Sequence, residues 1–278
     1  MISQNSFYQT QNQKINTMEH LKLFSAAFLC GLILTACSGT AANKTNTPTN
    51  SDPAGTSGGS GKDMFYEYNL TASSKEMSIQ SDTKMYISSK GDMRVEMNMT
   101  NSFKGNKSST PIVTIGHSDK PNESISIDDL ARTYSYNHFS DSDFVTGEKI
   151  KTLSVTKVGE EKILGYNSVH ARIITEKSIG GFYSDIDTID LSRSDDVPFL
   201  TSVKNLFQKF ESKTGNSMYS QDVVGQLKQM GCDGFMTKME IHSKKSSTTE
   251  VLVKAEHRDL PLSMFQIPAG YKEDKEGL

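Results

Sequence analysis

The sequence predicts an α+β protein that is mostly β: a large curved antiparallel sheet with two helices packed on one face. Three observations carry this expectation. Apolar residues recur with a period of two over many short runs, polar turn clusters separate the runs, and only two stretches, both late in the chain, show a helical period.

The first β-runs are Met64–Leu70 and Lys84–Ile87. The cluster Ser89-Lys90-Gly91-Asp92 follows, with Gly91 supplying the positive φ of a tight hairpin. Met93, Val95, Met97 and Met99 then alternate with Arg94, Glu96 and Asn98, the pattern of a half-buried antiparallel strand. Shorter runs come at Ile112–Ile115, Ile125–Ile127, Arg132–Tyr136, Leu153–Val158 and Ile186–Leu191. Val169, Ala171 and Ile173 alternate with His170 and Arg172, and Gly165 just before them reads as a sheet-bending bulge. Phe199, Leu200, Val203, Leu206, Phe207 and Phe210 form one helical stripe, with Asp196 before Pro198 suiting its start and Gly215 just beyond its end. A second helix spans about Gln221 to Met230, with Val223, Val224, Leu227 and Met230 as its stripe and Gly231 as its stop. Two strands close the pattern. In one, Phe235, Met239 and Ile241 share a face; in the other, Val251, Val253 and Ala255 alternate with Glu250, Lys254 and Glu256.

Composition excludes several functions. The 278 residues carry 30 Lys+Arg against 33 Asp+Glu, a net charge of -3, so there is no basic excess to neutralise nucleic-acid phosphates. Three cysteines, Cys30, Cys37 and Cys232, build neither a disulfide scaffold nor an all-cysteine zinc site. Cys232, in the turn Gly231-Cys232-Asp233-Gly234, reads as a buried inert thiol.

The N-terminal region reads as an export signal. Lys22 flanks a 14-residue apolar stretch from Leu23 to Ala36, too short for the roughly 20 residues of a spanning helix and right for a signal core. The stretch ends in Leu34-Thr35-Ala36-Cys37, which resembles the lipobox of bacterial lipoproteins. That resemblance implies cleavage after Ala36 and acylation of Cys37, including palmitate, which anchors the chain to a membrane of the cell envelope, the outer membrane favoured over the inner. The domain would then face the periplasm or the cell surface. Met18 is an alternative translation start, since residues 1–17 are polar and Gln/Asn-rich. The organisation expected is a signal peptide at 1–36, a lipidated cysteine and Ser/Thr/Gly/Asn linker at 37–62, and one domain at 63–278. The linker carries no Leu, Ile, Val or aromatic residue, and a flexible chain of that length reaches about 25–30 Å.

Three segments of the domain resemble known exported proteins. Tyr86-Ile87-Ser88-Ser89-Lys90-Gly91-Asp92-Met93-Arg94-Val95-Glu96, Ile163-Leu164-Gly165-Tyr166 running into Val169-His170-Ala171-Arg172-Ile173, and Leu262–Tyr271 are similar to segments of a family of uncharacterised bacterial exported proteins. They also resemble the half-barrel of the LolA/LolB-like lipoprotein carriers. The resemblance implies a curved sheet wrapped around apolar helices, a last strand at Leu262–Ile267 closed by Pro268-Ala269-Gly270, and no particular activity. Asp185, Asp187 and Asp190 stand where such relatives often carry an aromatic strand.

Candidate chemistry is sparse. Gly55-Thr56-Ser57-Gly58-Gly59 matches a nucleophile-elbow pattern, but linker flanks it on both sides. His117, His138, His170, His242 and His257 show no metal-ligand spacing. Asp185 and Asp187 share a strand face and are the candidates for a hard cation; the competing reading is a solvated edge that discourages sheet association. Met93, Met97 and Met99 share a strand face that Phe207, Met230 and Met239 could oppose. Methionine is pliable and polarizable, so this set fits either the lining of a variable apolar groove or a loosely patterned core. The function expected is therefore a non-enzymatic, lipid-anchored envelope protein, with no cofactor and no nucleic-acid partner, that receives an acyl chain, a lipid or an envelope protein in a curved-sheet groove. A purely structural or adhesive module and a metal-dependent hydrolase are the alternatives.

Overall fold

The computed structural model describes residues 62–120, 122–138, 148–179, 183–199 and 221–275. Its strands are β1 (Asp63–Ser74), β2 (Met77–Ile87), β3 (Met93–Phe103), β4 (Asn106–Gly116), β5 (Glu123–Asp128), β6 (Thr133–His138), β7 (Glu148–Ile163), β8 (Tyr166–Ile179), β9 (Tyr183–Ser194), β10 (Phe235–His242), β11 (Ser246–Arg258) and β12 (Lys272–Glu273). They form one open, curved sheet in the order β12-β6-β5-β4-β3-β2-β1-β11-β10-β9-β8-β7. All neighbours are antiparallel except β12 and β6. The chain thus makes two meanders, β1–β6 and β7–β11, joined where β11 lies beside β1.

Several strands outrun their apolar alternation. The Asn106–Thr110 part of β4 is exposed throughout and is held only by its ladder with β3, because that end of the hairpin projects past the core. Of the two expected helices, one is present among the described residues: α1 (Gln221–Gln229), with Val223 and Leu227 buried. The expected Phe199–Phe210 helix lies outside the described residues apart from Phe199, whose ring packs 5.7 Å from that of Phe235.

Two further expectations are corrected. Gly165 makes no bulge. Leu164 (φ 53°) and Gly165 (φ 87°) are the two-residue turn between β7 and β8, a pair of positive φ values that matches the twist of a hairpin. The β7–β8 ladder has its bulges elsewhere, at Leu153 and Val158 in the edge strand β7, where the irregular ladder makes the edge a poor template for another chain. The C-terminal segment is not a strand either. Leu262–Phe265 is a short 3-10 helix, and only Lys272 and Glu273 pair with the sheet. Pro261 and Pro268 on either side have no N–H to offer a ladder.

Directly opposite residues in a ladder share a face, so the registers sort side chains into two faces. The inner face carries two buried clusters. One joins β1, β2, β3 and β11 through Met64, Tyr66, Met85, Met93, Met97 and Leu252, among others. The other joins Ala171, Ile173, Ile189, Leu191 and Met239 to Val223 and Leu227 of α1. The outer face has its own cluster, Val113, Ile115, Ile125 and Ile127, covered by Ile267 and Tyr271 of the C-terminal segment. This strap is pinned by the Arg94 Nη1 donating to the Met264 carbonyl at 3.2 Å. Burial on both faces explains why Val113–Gly116 and Ser124–Ile125 read as continuous buried runs.

Gly234 sits where β10 leaves the end of β9. A Cβ there would lie 2.4 Å from the Ser194 carbonyl carbon, and backbone cannot yield as a side chain does. Gly234→Ala is expected to lose about 1–3 kcal/mol in urea denaturation. Gly225, inside α1 with open space around it, is the control: Gly225→Ala is expected to gain about 0.5–1 kcal/mol.

Candidate functional site

The inner face of β11, β1, β2, β3 and β4 can be read as rows across the sheet. One row is Ala255, Tyr66, Met85, Val95 and Thr114; the next is Leu252, Tyr68, Thr83, Met97 and Ile112. Both are largely apolar, and the tyrosine hydroxyls are satisfied: Tyr66 donates to the Pro198 carbonyl at 2.9 Å and Tyr68 to the Met236 carbonyl at 3.0 Å. The Tyr66 ring stacks on Phe235 at 4.5 Å. Among the described residues, five of the fifteen buried members of this cluster are methionines: Met64, Met85, Met93, Met97 and Met99.

The third row differs. It runs Leu191, Met239, Glu250, Leu70, Ser81 and Met99, linking the two inner clusters. Glu250 is 2% exposed and its Oε2 has no hydrogen-bond partner among the described residues. Ser81 is 4% exposed and its Oγ is also unpartnered, as is the buried Oδ1 of Asn101, one diagonal step away on β3. Burial pushes the Glu250 carboxyl up to about 7, because a carboxylate loses its hydration there without gaining a counter-charge. Burial, then the Glu250 charge, then Tyr66, raises the neighbouring Tyr68 hydroxyl well above its ordinary value, against the opposing pull of Arg193.

The alternation in the sequence places Glu250 on the solvated face with Lys254 and Glu256, and this is where it fails. The register shifts by one between Glu67 and Tyr68, so that Tyr68 faces Leu252 while Glu67 faces Lys254, and Val253 is the extra residue. A one-residue bulge exchanges faces along the strand. Val251 is therefore only half-buried on the outer face, while Glu250, Leu252 and Ala255 turn inward. The one signal available in the sequence is Leu252 itself, an apolar residue out of phase with Ala255.

The expected groove residues divide. Met93, Met97 and Met99 share the inner face, at 1%, 7% and 5% exposure, and Met239 lies on the same face in the second cluster. Met230, one residue beyond α1, is half-buried and joins neither cluster. Phe207 lies outside the described residues.

Asp185 and Asp187 do share a strand face, but not at an edge: β9 has β8 on one side and β10 on the other. Asp187 is buried and its Oδ2 is 2.8 Å from the Lys177 ammonium, so a lysine already supplies its counter-charge. Asp185 accepts from the Ile186 N–H. Among the described residues no three His, Cys, Asp or Glu side chains converge as a metal would require.

On the outer face, Asp190 accepts from Arg172 through two bonds of 2.8 and 3.0 Å, and its Oδ1 lies 3.0 Å from His170 Nε2. Burial works to raise this carboxyl, but Arg172 and His170 outweigh it and hold it below its ordinary value. Ser192 stands directly opposite His170 but gives its hydroxyl hydrogen to Glu161, so this group of Ser, His and Asp is wired as a structural network. Cys232 is fully buried, its thiol directed at the Val169 carbonyl 3.3 Å away.

Residues 67–271 match the family described as "Domain of unknown function (DUF4412)". The chain belongs to the DUF4412 family. That match spans all of the sheet from within β1 to the residue before β12, including the row through Glu250. No curated protein matches this DUF4412 chain. Among solved structures it is similar to LprF from Mycobacterium bovis, at 11% identity and a TM-score of 0.35 over 74% of this chain and 89% of that one. It is also similar to a DUF1329 family protein from Desulfovibrio piger, at 11% identity and a TM-score of 0.23 over 74% and 90%. No helix among the described residues of this DUF4412 protein is long and apolar enough to cross a membrane.

Proposed function

We propose that this protein is a lipid-anchored, non-enzymatic component of the bacterial cell envelope that binds an acyl chain or lipid against the inner face of its sheet. The observation that carries the reading is the lining of that face: five buried methionines on β1, β2 and β3, with Met239 and Met236 continuing it toward β9. An unbranched thioether side chain repacks at little cost, so such a lining can accommodate chains of variable length where a β-branched core would resist. The resemblance to the lipoprotein-carrier half-barrel points the same way, as does the lipobox ending at Cys37. Three polar groups of the sheet are engaged with charged or hydrogen-bonding neighbours: Asp187 with Lys177, Asp190 with Arg172 and His170, and Ser192 with Glu161.

The test is native mass spectrometry of the full chain extracted from membranes in a non-ionic detergent and incubated with 1-monopalmitoylglycerol. The expected result is a non-covalent one-to-one adduct that Met97→Trp, filling the lining, weakens about tenfold or more. Absence of any palmitoyl adduct on the wild-type chain, with that glycerolipid or with palmitate, refutes the reading.

A further inference from the structure

The row through Glu250 has a property that a purely structural core would not retain. Among the described residues, Glu250 Oε2, Ser81 Oγ and Asn101 Oδ1 are buried polar atoms without a hydrogen-bond partner, and all three residues lie on the inner face. Glu250 and Ser81 lie two strands apart, so their backbones are about 10 Å from each other. Ser81 and Asn101 are diagonal neighbours on adjacent strands, about 7–8 Å apart. Buried polar atoms are ordinarily paired, and three left open in one band form a polar belt across an otherwise apolar surface. On one side of the belt are the largely apolar rows that hold Met97 and Met85. On the other, the β1–β2 and β3–β4 hairpins run out to an open depression of about 490 Å³ bordered by Lys75, Met77 and Lys104.

The chemistry of the belt is mainly that of acceptors. A carboxyl oxygen and an amide oxygen accept, and a serine hydroxyl accepts as well as donates. A molecule completing the belt must therefore bring hydrogen-bond donors. We infer that the belt seats the headgroup of an amphiphile whose head carries hydroxyl donors, as the glycerol of an acylglycerol does, with its acyl chain laid along Met97, Val95 and Met93. This rests on the apolar-ligand reading and adds the class of head and the direction in which the ligand lies. A fatty acid is the contrasting case: its carboxylate brings acceptors and a negative charge to a band that already holds Glu250, and buried like charges repel.

The experiment offers the full chain, in the same detergent at pH 7.5, an equimolar mixture of 1-monopalmitoylglycerol and palmitate, and measures both adducts by native mass spectrometry. The wild type is expected to retain the glycerolipid about tenfold over palmitate. Glu250→Leu is expected to bring that ratio to within about twofold of one while still retaining palmitoyl chains, and Ser81→Val, which removes the hydroxyl, to lower it about threefold. Equal retention of the two ligands by the wild type overturns the headgroup assignment and leaves the apolar-ligand reading standing. A preference that survives in a folded Glu250→Leu chain, or in Ser81→Val if Glu250→Leu does not fold, overturns it as well. Retention of neither ligand by the wild type refutes the apolar-ligand reading itself.

Discussion

Glu250→Gln is expected to abolish most of the fall in stability that the wild-type protein shows between pH 5 and pH 8. In the unfolded chain this carboxyl titrates at its ordinary 4.5; in the folded protein burial pushes it up to about 7. Between those values the folded state keeps a proton that the unfolded state has released, so raising the pH favours unfolding. The stability linked to this proton is complete below pH 4.5, declines through the window and is gone above about pH 7. The difference amounts to about 3 kcal/mol, or a Tm about 6–12 °C lower at pH 8 than at pH 5 for a domain of this size.

The groups around Glu250 do not mask the effect. Tyr68 is held well above its ordinary value and stays protonated throughout, and Arg193 stays charged. Asp190 and Glu256 run in the opposite sense: burial tends to raise each, but Arg172 with His170, and Arg258 with Lys254, hold them low. Their contribution is present above their unfolded values and is lost only as the pH falls through their lowered ones, outside this window. Glutamine keeps the shape and cannot ionise, so urea denaturation at pH 5, 6, 7 and 8 should give a nearly flat profile for the variant and the higher stability at pH 8. A wild-type profile that is itself flat, or a variant that keeps the wild-type slope, contradicts the burial argument.

Cys37→Ser is expected to abolish both the acylation and the processing of the protein. The anchor attributed to Cys37 is a set of acyl chains on one sulfur, each buried methylene contributing about 0.8 kcal/mol, and two or more chains hold a protein far more firmly than one. Serine has no thiol to alkylate, so the variant should take up no radiolabelled palmitate and should keep the mass of the uncleaved precursor. Palmitate incorporation equal to wild type would show that the lipid, if present, is attached elsewhere.

Much of the sheet was legible because its determinants are local. The period of two in Met93–Met99 marks β3, and Ser89-Lys90-Gly91-Asp92 marks its hairpin, where Gly91 does take a φ of 94°. Turn chemistry was less secure: Leu164-Gly165 could be a bulge or a hairpin turn, and the choice depends on whether Ile163 finds Tyr166 across a ladder. Asp187 was harder still. As a sequence it is one of a run of acids, and only the pairing of β9 on both sides puts it in the interior beside Lys177.

The candidate site was the least legible part: Glu250 lies in an alternating run, but Ser81 precedes the run Lys84–Ile87 and Asn101 lies beyond Met99, where the apolar alternation has stopped. By itself the sequence determined the apolar stretch that runs up to Cys37, the succession of strands and the methionine face of β3, since each follows from the spacing of neighbouring residues along one chain. The tertiary structure decided which acid is buried. The extra residue at Val253 exchanges the faces of β11, and the neighbours that strip water from Glu250 come from strands far away in sequence. A pleated strand has a period of two, so a single added residue reverses the side on which everything beyond it lies, and no local pattern records which side will be covered.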